Sequence, residues 1–429
     1  MYNKKIENLP LEELRALQNA RLSFLVKRIY KDVPFYKIQF DNIGIHPSDI
    51  RTIEDLHKLP FTKKTDLRDN YPYKMFAKPM DQIARIHASS GTTGKPTVVG
   101  YTSNDLDVFD EVVARSLVCA GAKPGMKLHN AYGYGLFTGG LGMHGGATKL
   151  GMAVIPVSGG MTERQLTILQ DFKPDVMCCT PSYAQTLAEQ FAKRKIDTKD
   201  LAVKFAILGA EPWTEAIRDQ VEAGLNVSAT NIYGLSEIIG PGVSQEDYEE
   251  KGTGSYIWED HFFPEVVDKD TGKPLPYGEE GVLVFTTLTK EAFPVLRYWT
   301  NDICSINYDS NAKRTHIKMS SIKGRSDDML IIRGVNLFHT QVEEVIHQIK
   351  ELSPNYQLIV ERKGAMDTVK VEVEKTHRTQ VADTELSKLL ASNIKDSIGL
   401  SMHIEIMDPN SISRSQGGKL NRIIDKRKL

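Results

Sequence analysis

The sequence predicts an α/β protein with a large N-terminal domain, residues 1–327, and a small C-terminal α+β domain, residues 328–429. Three observations predict this architecture. Short apolar runs alternate with helical segments in the middle of the chain, an antiparallel pattern begins after Asn231, and the C-terminal part repeats a compact mixture of helices and strands. A chain of 429 residues also exceeds the length of one typical domain.

The composition is that of a soluble globular protein. Hydrophobic residues make up 41% of the chain, charged residues make up 25%, and the formal net charge is -1. Because this leaves no strong field of either sign, we expect neither nucleic acid nor a membrane as a partner. There is no apolar signal region and no run of the ~20 apolar residues of a membrane span, so we expect a cytoplasmic protein. The cysteines show no metal-type spacing and are expected to be reduced and structural; they are Cys119, Cys178, Cys179 and Cys304.

The middle of the chain carries the signals of a parallel sheet. After an amphipathic helix predicted from Leu11, the apolar runs "MAVIPV", "DVMCC" and "VKFAIL" predict strands, and a helix follows each of them. Thr180 offers an N-cap oxygen and Pro181 suits the first helical position, so one helix is expected to begin there. The next is expected from about Trp213 to Ala223. Parallel strands with helical connections place binding sites at their carboxyl ends.

Two further patterns follow. "GVLVFTTLT", residues 281–289, comes after the turn-rich "DKDTGKPLPYGEEG" and predicts antiparallel strands in an all-β region. In the C-terminal domain Thr340 and Glu343 predict a capping box for one helix, "VKVEVE" and "MHIEIM" predict strands, and a second helix lies between those strands. The polar turn formers of "GRSDDML" place the domain boundary near Asp327 and Asp328.

A loop of small residues raises the question of function. "SSGTTGKPT", residues 89–97, combines hydroxyls, glycines and a lysine, a mixture that suits a bound phosphate. Gly91 and Gly94 are separated by two residues rather than by the four of the Walker A pattern. Because "ARIHA" and "TVVGYT" on either side are strand-like, the loop is predicted to join two strands. Its composition alone is equally typical of a solvated linker.

Other segments supply the remaining parts of an ATP site. "YGLSE", residues 233–237, follows a predicted strand, "RYWTND" ends in Asp302, and "GRSDD" brings Arg325 to the domain junction. "RSQGGK" places Lys419 on a glycine-rich loop. Together these segments predict ATP binding. They supply a phosphate loop, an acid for a metal ion, an acid for sugar hydroxyls and several cations. Taken alone, Lys419 on a basic tail ending "DKRKL" is typical of a solvated surface.

The chain resembles the adenylate-forming enzymes and, among them, the phenylacetate-CoA ligases. The resemblance covers nearly the whole chain, and its strings are "LPFTKKTDLRDNYP", "SSGTTGKPTVVGYT", "YGYGLFTGGLG", "LGAEPW", "YGLSEIIGPGVS", "WEDHFFPEVVD", "VFTTLTKEAFPVLRY" and "GRSDDMLIIRGVNLF". It implies that phenylacetate or a close aryl-acetate attacks MgATP to give an acyl-adenylate and pyrophosphate, and that coenzyme A then displaces AMP. ATP, Mg²⁺ and coenzyme A are the implied cofactors, the C-terminal domain is implied to be mobile, and a homodimer is implied.

The resemblance also implies a role for individual residues. Glu237 would hold magnesium, Arg325 would lie beside the ribose and α-phosphate, and Lys419 would stabilise the pentacoordinate phosphorus of adenylation; these three are the implied catalytic residues. Asp302 would bind the ribose hydroxyls, and the hinge would be Asp327 or Asp328. The residues implied to bind ATP or coenzyme A are Ser89, Ser90, Gly91, Thr92, Thr93, Gly94, Lys95, Gly209, Ala210, Glu211, Pro212, Tyr233, Gly234, Asp302, Arg325 and Gly334.

The pocket for the acid is expected around "AYGYGLFTGG", residues 131–140. Glycines leave room there and aromatic rings offer flat apolar walls, which suit an aryl-acetic acid better than acetate or a long fatty acid. The expected pocket residues are Tyr132, Tyr134, Gly135, Phe137, Ile238 and Pro241.

The chain departs from the family pattern at three places. The family reads Arg-Tyr-Arg-Thr before the ribose acid, whereas Trp299 replaces the second arginine here, so a cation near the nucleotide is predicted to be lost. A doubled glycine, Gly417-Gly418, shifts the register of the lysine that follows. Asp247 stands where some relatives have a cysteine, and without that thiolate Asp260 and His261 make a poor set of zinc ligands.

Three alternatives to an aryl-acetate ligase stay open from the sequence. The same chemistry on indoleacetate or hydroxyphenylacetate differs only in the pocket. Transfer of AMP to a cofactor without a coenzyme A step is known among relatives. A nucleotide-binding pseudo-enzyme, for which Trp299 is the evidence, predicts ATP binding without pyrophosphate release.

Overall fold

The computed structural model describes residues 1–89, 96–326, 330–332, 335–363, 366–377, 379–415 and 420–428. Several predicted site residues lie outside these ranges, and their roles stay predictions; they are Ser90, Gly91, Thr92, Thr93, Gly94, Lys95, Gly334 and Lys419. The predicted boundary and hinge residues Asp327 and Asp328 also lie outside the described residues.

The N-terminal domain contains helices and strands in mixed order, as predicted. Its helices are α1 (Lys4–Glu7), α2 (Leu11–Asp32), α3 (Pro34–Asn42), α4 (Lys64–Asp69), α5 (Ser103–Cys119), α6 (Thr138–Leu150), α7 (Thr162–Asp171), α8 (Pro181–Lys193) and α9 (Glu215–Leu225). Its strands are β1 (Arg85–Ser89), β2 (Thr97–Tyr101), β3 (Lys127–Asn130), β4 (Ala153–Ile155), β5 (Val176–Cys179), β6 (Phe205–Gly209), β7 (Ser228–Leu235), β8 (Gly240–Glu246), β9 (Ser255–Ile257), β10 (Phe262–Val267), β11 (Gly281–Thr287), β12 (Tyr298–Cys304), β13 (Ile306–Asn307), β14 (Lys318–Met319) and β15 (Gly324–Arg325).

Five strands in the order β4-β3-β5-β6-β7 form the predicted parallel sheet. The predicted helix start at Thr180 is confirmed, because its Oγ1 accepts a hydrogen bond from the N–H of Tyr183 at 3.3 Å and Pro181 is the first residue of α8. α9 begins at Glu215, two residues later than the predicted start at Trp213, because Thr214 occupies the N-cap position. The Trp213 ring instead lies under the guanidinium of Arg218.

Helices cover both faces of this parallel sheet. Successive residues of a strand point to opposite faces. Val176 and Cys178 of β5 belong to the core that includes residues of α5 and α6, whereas Met177 and Cys179 belong to the core of α7, α8 and α9. All four cysteines are free thiols with buried side chains.

The β region predicted after Asn231 continues the parallel sheet rather than standing apart from it. β7 pairs antiparallel with β8, and the same sheet extends through β9 and β14 to β13, giving nine strands. A second sheet, in the order β10-β11-β12-β15, contains "GVLVFTTLT" in β11, which is antiparallel to both neighbours as predicted. The antiparallel strand direction predicted for this region is therefore confirmed.

The C-terminal domain has its own hydrophobic core, consistent with the predicted α+β pattern. Its elements are β16 (Leu330–Ile332), β17 (Val335–Leu337), α10 (His339–His347), β18 (Leu352–Lys363), β19 (Met366–Lys375), α11 (Asp383–Ile398), β20 (His403–Met407) and β21 (Ile423–Asp425). The sheet order is β20-β19-β18-β21. None of the described helices of the chain is both long and apolar enough to cross a membrane.

The predicted capping box of α10 is wrong. The N-cap is Phe338, so Thr340 lies inside the first turn, and its hydroxyl donates to the carbonyl of Lys323 at 2.6 Å. The Glu343 carboxylate accepts hydrogen bonds from Tyr356 and from Thr214 of the N-terminal domain. Both polar side chains therefore make tertiary contacts instead of capping the helix.

Candidate active site

Several of the predicted nucleotide residues lie at the carboxyl ends of two neighbouring parallel strands. Gly209 is the last residue of β6, Tyr233 and Gly234 lie near the end of β7, and Glu237 lies two residues beyond that end. The carboxyl ends of parallel strands meet at one edge of the sheet, where ligands bind in open α/β folds. The structure thus brings these predicted residues to the same edge.

The segment predicted to be a phosphate loop lies between two antiparallel strands, in agreement with the predicted strands on either side of it. β1 and β2 pair up to Ser89 and Thr97, so residues 90–95 connect the ends of a two-stranded ribbon. The hydroxyls of Ser89 and Thr97 are buried and have no hydrogen-bond partner in the described part of the chain. A buried hydroxyl without a partner is costly in free energy unless a ligand supplies one. These two hydroxyls therefore fit a site for phosphate oxygens.

Asp302 joins three of the predicted residues in one cluster. Its Oδ2 accepts a hydrogen bond from the Tyr233 hydroxyl at 2.6 Å, and its Oδ1 accepts one from Nη1 of Arg325 at 3.2 Å. The pairing of β12 with β15 sets Asp302 opposite Arg325. Burial, followed by the Asp302 charge, raises the pKa of Tyr233 well above its usual value, so this hydroxyl stays a donor. The cluster holds a carboxylate in a fixed orientation.

A buried lysine that the sequence motifs did not indicate lies beside Glu237. The Lys290 side chain is only 2% exposed, its Nζ donates to the backbone carbonyl of Glu237 at 3.5 Å, and it lies over the rings of Tyr101 and Phe293. Burial lowers the pKa of Lys290 to about 7. A lysine three residues after a buried strand, within the largely apolar "VFTTLTKEAFPVL", was the sequence signal that could have identified it.

Glu237 is the residue that could hold a magnesium ion. Its side chain is buried, and a carboxylate is the hard oxygen ligand that Mg²⁺ prefers. Within the described ranges, no group of three or more His, Cys, Asp or Glu side chains is arranged to hold a metal ion. A single carboxylate together with phosphate oxygens is a usual way to hold Mg²⁺, so the donor set fits that ion.

The segment Gly209 to Pro212, predicted to lie beside the adenine, has an unusual backbone. Gly209 is required by packing, because a Cβ there would lie 2.1 Å from the carbonyl oxygen of Ile232. Ala210 has φ of 74°, a left-handed conformation that costs a non-glycine residue about 1–2 kcal/mol. The Glu211 carboxylate accepts hydrogen bonds from the N–H groups of Ser182 at 2.6 Å and Leu420 at 3.2 Å. Glu211 thus connects the two domains, which its sequence position did not indicate.

Two of the predicted pocket residues are held firmly at the same edge of the sheet. The Tyr132 hydroxyl donates to the carbonyl of Cys179 at 2.7 Å, and its ring belongs to the same buried core as Ile238. The Tyr134 hydroxyl accepts a hydrogen bond from Nδ2 of Asn130 at 2.7 Å. Asn130, the last residue of β3, was not among the predicted residues, although its place at the carboxyl end of a parallel strand is a signal that could have indicated it.

The remaining pocket predictions lie nearer the surface. Phe137 is 51% exposed and Gly135 is exposed, whereas Pro241 of β8 is half-buried. Of the predicted pocket residues, Tyr132 and Ile238 are thus buried, Tyr134 is half-buried and Phe137 is exposed.

Trp299 faces away from the nucleotide residues. Its ring packs edge-on against Phe61 with centroids 4.9 Å apart, and its indole N–H donates to Asn301 Oδ1 at 2.8 Å. Along β12 the buried and half-buried residues alternate, with Trp299 on the opposite side from Asp302. The structure therefore does not support the expected loss of a cation beside the nucleotide.

Asp247 and Asp260, which belong to the zinc position predicted from some relatives, are paired with arginines. Asp247 accepts a hydrogen bond from Arg314 at 2.6 Å, and both oxygens of Asp260 accept from Arg115 at 2.8 and 3.0 Å. Burial lowers the pKa of His261 to about 4. The two carboxylates are thus neutralised by guanidinium groups.

Comparison with known proteins shows the family to which the chain belongs. The family model "AMP-binding enzyme" matches residues 12–288, and the model "AMP-binding enzyme C-terminal domain" matches residues 334–427. The fold is that of the adenylate-forming enzymes. The chain belongs to the AMP-binding enzyme family.

Curated relatives match over the full length. The chain is 58% identical to a phenylacetate-coenzyme A ligase of Thermus thermophilus, with 100% of both chains covered. It is 51% identical to one of Aromatoleum evansii, over 98% of this chain and 96% of the relative, and 50% identical to one of Escherichia coli, over 99% and 97%.

Solved structures of 2-hydroxyisobutyryl-CoA ligase are also similar. In the postadenylation state with an acyl-AMP, that ligase has a TM-score of 0.93 at 25% identity, covering 99% of this chain and 92% of its own. In the thioesterification state with 2-HIB-AMP and CoA the TM-score is 0.74 at 26% identity, with the same coverage. The described domain arrangement is thus more similar to the first of these two states.

Proposed function

We propose that this enzyme is an AMP-forming acyl-CoA ligase that converts phenylacetate, MgATP and coenzyme A into phenylacetyl-CoA, AMP and pyrophosphate. The observation that carries the proposal is identity of 50–58% over nearly the whole length to three curated phenylacetate-coenzyme A ligases. The site geometry is consistent with it, because a carboxylate cluster, a buried acid and a phosphate-loop ribbon meet at one edge of the sheet.

The reaction has two bond-forming steps. A carboxylate oxygen of the acid attacks the α-phosphorus of ATP and pyrophosphate leaves, which turns a poor acyl donor into an acyl-adenylate. The sulfur of coenzyme A then attacks the acyl carbon, AMP leaves, and the thiol proton is released. Magnesium at Glu237 would neutralise phosphate charge when bound.

The residues of this chain bind and orient the substrates. Asp302, fixed by Tyr233 and Arg325, would accept hydrogen bonds from the two ribose hydroxyls. Ser89 and Thr97 would donate to phosphate oxygens from the ends of the ribbon. Holding the reactants in one geometry removes much of the entropic barrier of a reaction between separate molecules.

The aromatic residues of the pocket support an aryl acid. Tyr132 and Ile238 supply buried apolar surface, and Tyr134 is held by Asn130.

We also propose that the domains divide at residues 327 and 328, that the lysine of the first step is Lys419, that residues around Gly334 line the path of coenzyme A, and that the enzyme is a cytoplasmic homodimer.

The proposal is tested by pyrophosphate release from MgATP with phenylacetate, 4-hydroxyphenylacetate, indole-3-acetate, benzoate and acetate, each with and without coenzyme A. We expect release that is fastest with phenylacetate, and AMP and thioester in equal amounts once coenzyme A is present. Fastest release with indole-3-acetate or 4-hydroxyphenylacetate would change the assigned acid. Release without any thioester would favour adenylyl transfer, and ATP binding without release would favour a pseudo-enzyme.

A further inference from the structure

The turn that carries Glu237 is held at two of its carbonyl groups by side chains from distant parts of the chain. Residues 236–239 connect β7 to β8. The Tyr101 hydroxyl donates to the carbonyl of Ile239 at 2.8 Å, and Nζ of Lys290 donates to the carbonyl of Glu237 at 3.5 Å. Both donor side chains are buried, so water does not compete for these hydrogen bonds. The backbone position of Glu237 thus depends on two side chains outside the turn.

The two donors also contact each other. Nζ of Lys290 lies over the Tyr101 ring, 4.8 Å from its centroid, and over the Phe293 ring at 5.2 Å. A ring face attracts a cation, which favours this position of the amino group. The Tyr101 ring in turn stacks on Phe109 with centroids 5.8 Å apart. Lys290 and Tyr101 therefore pack as one unit against the turn.

The backbone around Lys290 is fixed by two charged side chains. Nη2 and Nη1 of Arg28 in α2 donate to the carbonyls of Lys290 and Glu291 at 2.6 and 2.7 Å. The Asp105 carboxylate in α5 accepts from the N–H groups of Glu291 and Ala292 at 2.6 and 2.8 Å. Two-point contacts with charged groups fix orientation better than single hydrogen bonds do. The segment therefore presents the Lys290 side chain to the turn in one direction.

Lys290 does not serve as the partner of a carboxylate. In the described part of the chain no acidic side chain forms an ion pair with its Nζ, and the charges of Asp105 and Glu237 act on it only from a greater distance. Burial of an amino group with a single long hydrogen bond costs free energy. A lysine held in place at such a cost is more consistent with a function at Glu237 than with stabilisation of the fold.

We propose that Lys290 and Tyr101 are positioning residues for Glu237, the residue assigned to magnesium. The inference rests on the proposed function, in which Glu237 holds that ion. Because the two hydrogen bonds fix two carbonyls of the turn, the Glu237 carboxylate keeps one position before Mg²⁺ binds. Removal of a residue that orients a metal ligand typically lowers metal affinity about 10–100-fold. All residues in this set of contacts lie within the described ranges.

The test measures ATP binding to the full-length protein by isothermal titration calorimetry, once with Mg²⁺ and once with EDTA in its place. The ratio of the two dissociation constants is the gain in ATP affinity that Mg²⁺ supplies. Lys290→Met keeps an unbranched apolar chain but removes the donor, so we expect this gain to fall about tenfold while the dissociation constant in EDTA stays within about twofold. General damage to the nucleotide site would weaken binding in both conditions.

Three further variants extend the test. Tyr101→Phe keeps the ring against Lys290 but removes the donor to Ile239, so the gain should fall here as well. Lys290→Gln keeps an N–H donor without a charge, and its gain should lie between those of Lys290→Met and wild type. Lys318→Met is the matched control, because Lys318 is also buried and lies 4.8 Å from the centroid of the Tyr256 ring, on strand β14; its gain should equal that of wild type.

The outcomes separate this inference from the proposed function. An unchanged gain in both Lys290→Met and Tyr101→Phe, or equal weakening with and without Mg²⁺, would overturn the positioning role. A larger gain in Lys290→Met would also overturn it, because the lysine would then act on Mg²⁺ through charge repulsion. If Lys290→Met does not fold, Tyr101→Phe decides. Failure of the wild-type protein to release pyrophosphate with any of the acids would refute the proposed function, whereas the binding ratio alone decides the role of Lys290.

Discussion

Asp302→Asn tests the centre of the proposed nucleotide site. Asp302 accepts from the Tyr233 hydroxyl at 2.6 Å and from Arg325 at 3.2 Å, so its two oxygens are held in place. An asparagine keeps one acceptor oxygen and presents an NH₂ group where the second oxygen was, so one charged hydrogen bond to the ribose is lost. Hydrogen bonds to charged groups contribute about 1.5–3 kcal/mol. At ~2 kcal/mol, the KM for ATP is expected to rise about 30-fold.

The assay is pyrophosphate release as a function of MgATP concentration at saturating phenylacetate. Tyr233→Phe removes only the hydroxyl that orients Asp302, so a smaller rise in KM for ATP is expected. Asp41→Asn is a matched control, because Asp41 accepts from the Tyr30 hydroxyl at 2.7 Å and from Lys37 at 2.6 Å on an exposed surface. If Asp302→Asn had a KM within threefold of wild type and an unchanged melting temperature, Asp302 would not be the ribose acid.

Three other variants follow from the site. Lys419→Ala should abolish pyrophosphate release while thioester formation from supplied adenylate continues; a first step near the wild-type rate would refute its assigned role. Trp299→Arg should leave the KM for ATP unchanged and lower the melting temperature by ~2 °C through lost packing on Phe61, and a lower KM would contradict the orientation of Trp299. Burial lowers the pKa of Lys290 to about 7 from 10.5, so the unfolded chain binds more protons between these values and stability rises with pH there. Lys290→Met should therefore raise the melting temperature most at pH 6 and progressively less at pH 8 and pH 10; an equal gain at all three would show that the buried charge is not the cause.

The sequence predicted the parallel sheet well because its signals are local. The apolar runs that became β5 and β6, and the Thr180-Pro181 start of α8, are short-range patterns that need no tertiary information. The capping box at Thr340 and Glu343 failed because the same residue types also make tertiary hydrogen bonds. Whether Thr340 and Glu343 cap the helix or make tertiary hydrogen bonds depends on where Lys323 and Thr214 lie in the folded chain. The local sequence does not show those positions.

The site was predicted as a set of positions but not as a set of contacts. Motif order singled out Asp302, Tyr233 and Arg325, and the structure shows hydrogen bonds among these three side chains. The alternation of β12 could have shown that Trp299 and Asp302, three residues apart, lie on opposite sides of the strand, but the motif comparison considered position alone. The domain-spanning contact of Glu211 was also invisible, since its partners lie far apart in the chain.

The short strand β21 joins the last described residues of the chain to the sheet of the C-terminal domain. It pairs parallel with β18, and beyond it Nη1 of Arg427 donates to Asp367 at 2.6 Å while Lys426 Nζ donates to Glu361 at 2.9 Å. The basic residues Lys426 and Arg427, whose composition is typical of a solvated tail, are thus bonded to β18 and β19. A deletion starting within Ile423–Asp425 would remove these contacts to the C-terminal sheet, so a protein altered there should be checked for pyrophosphate release before its activity is compared with that of the intact chain.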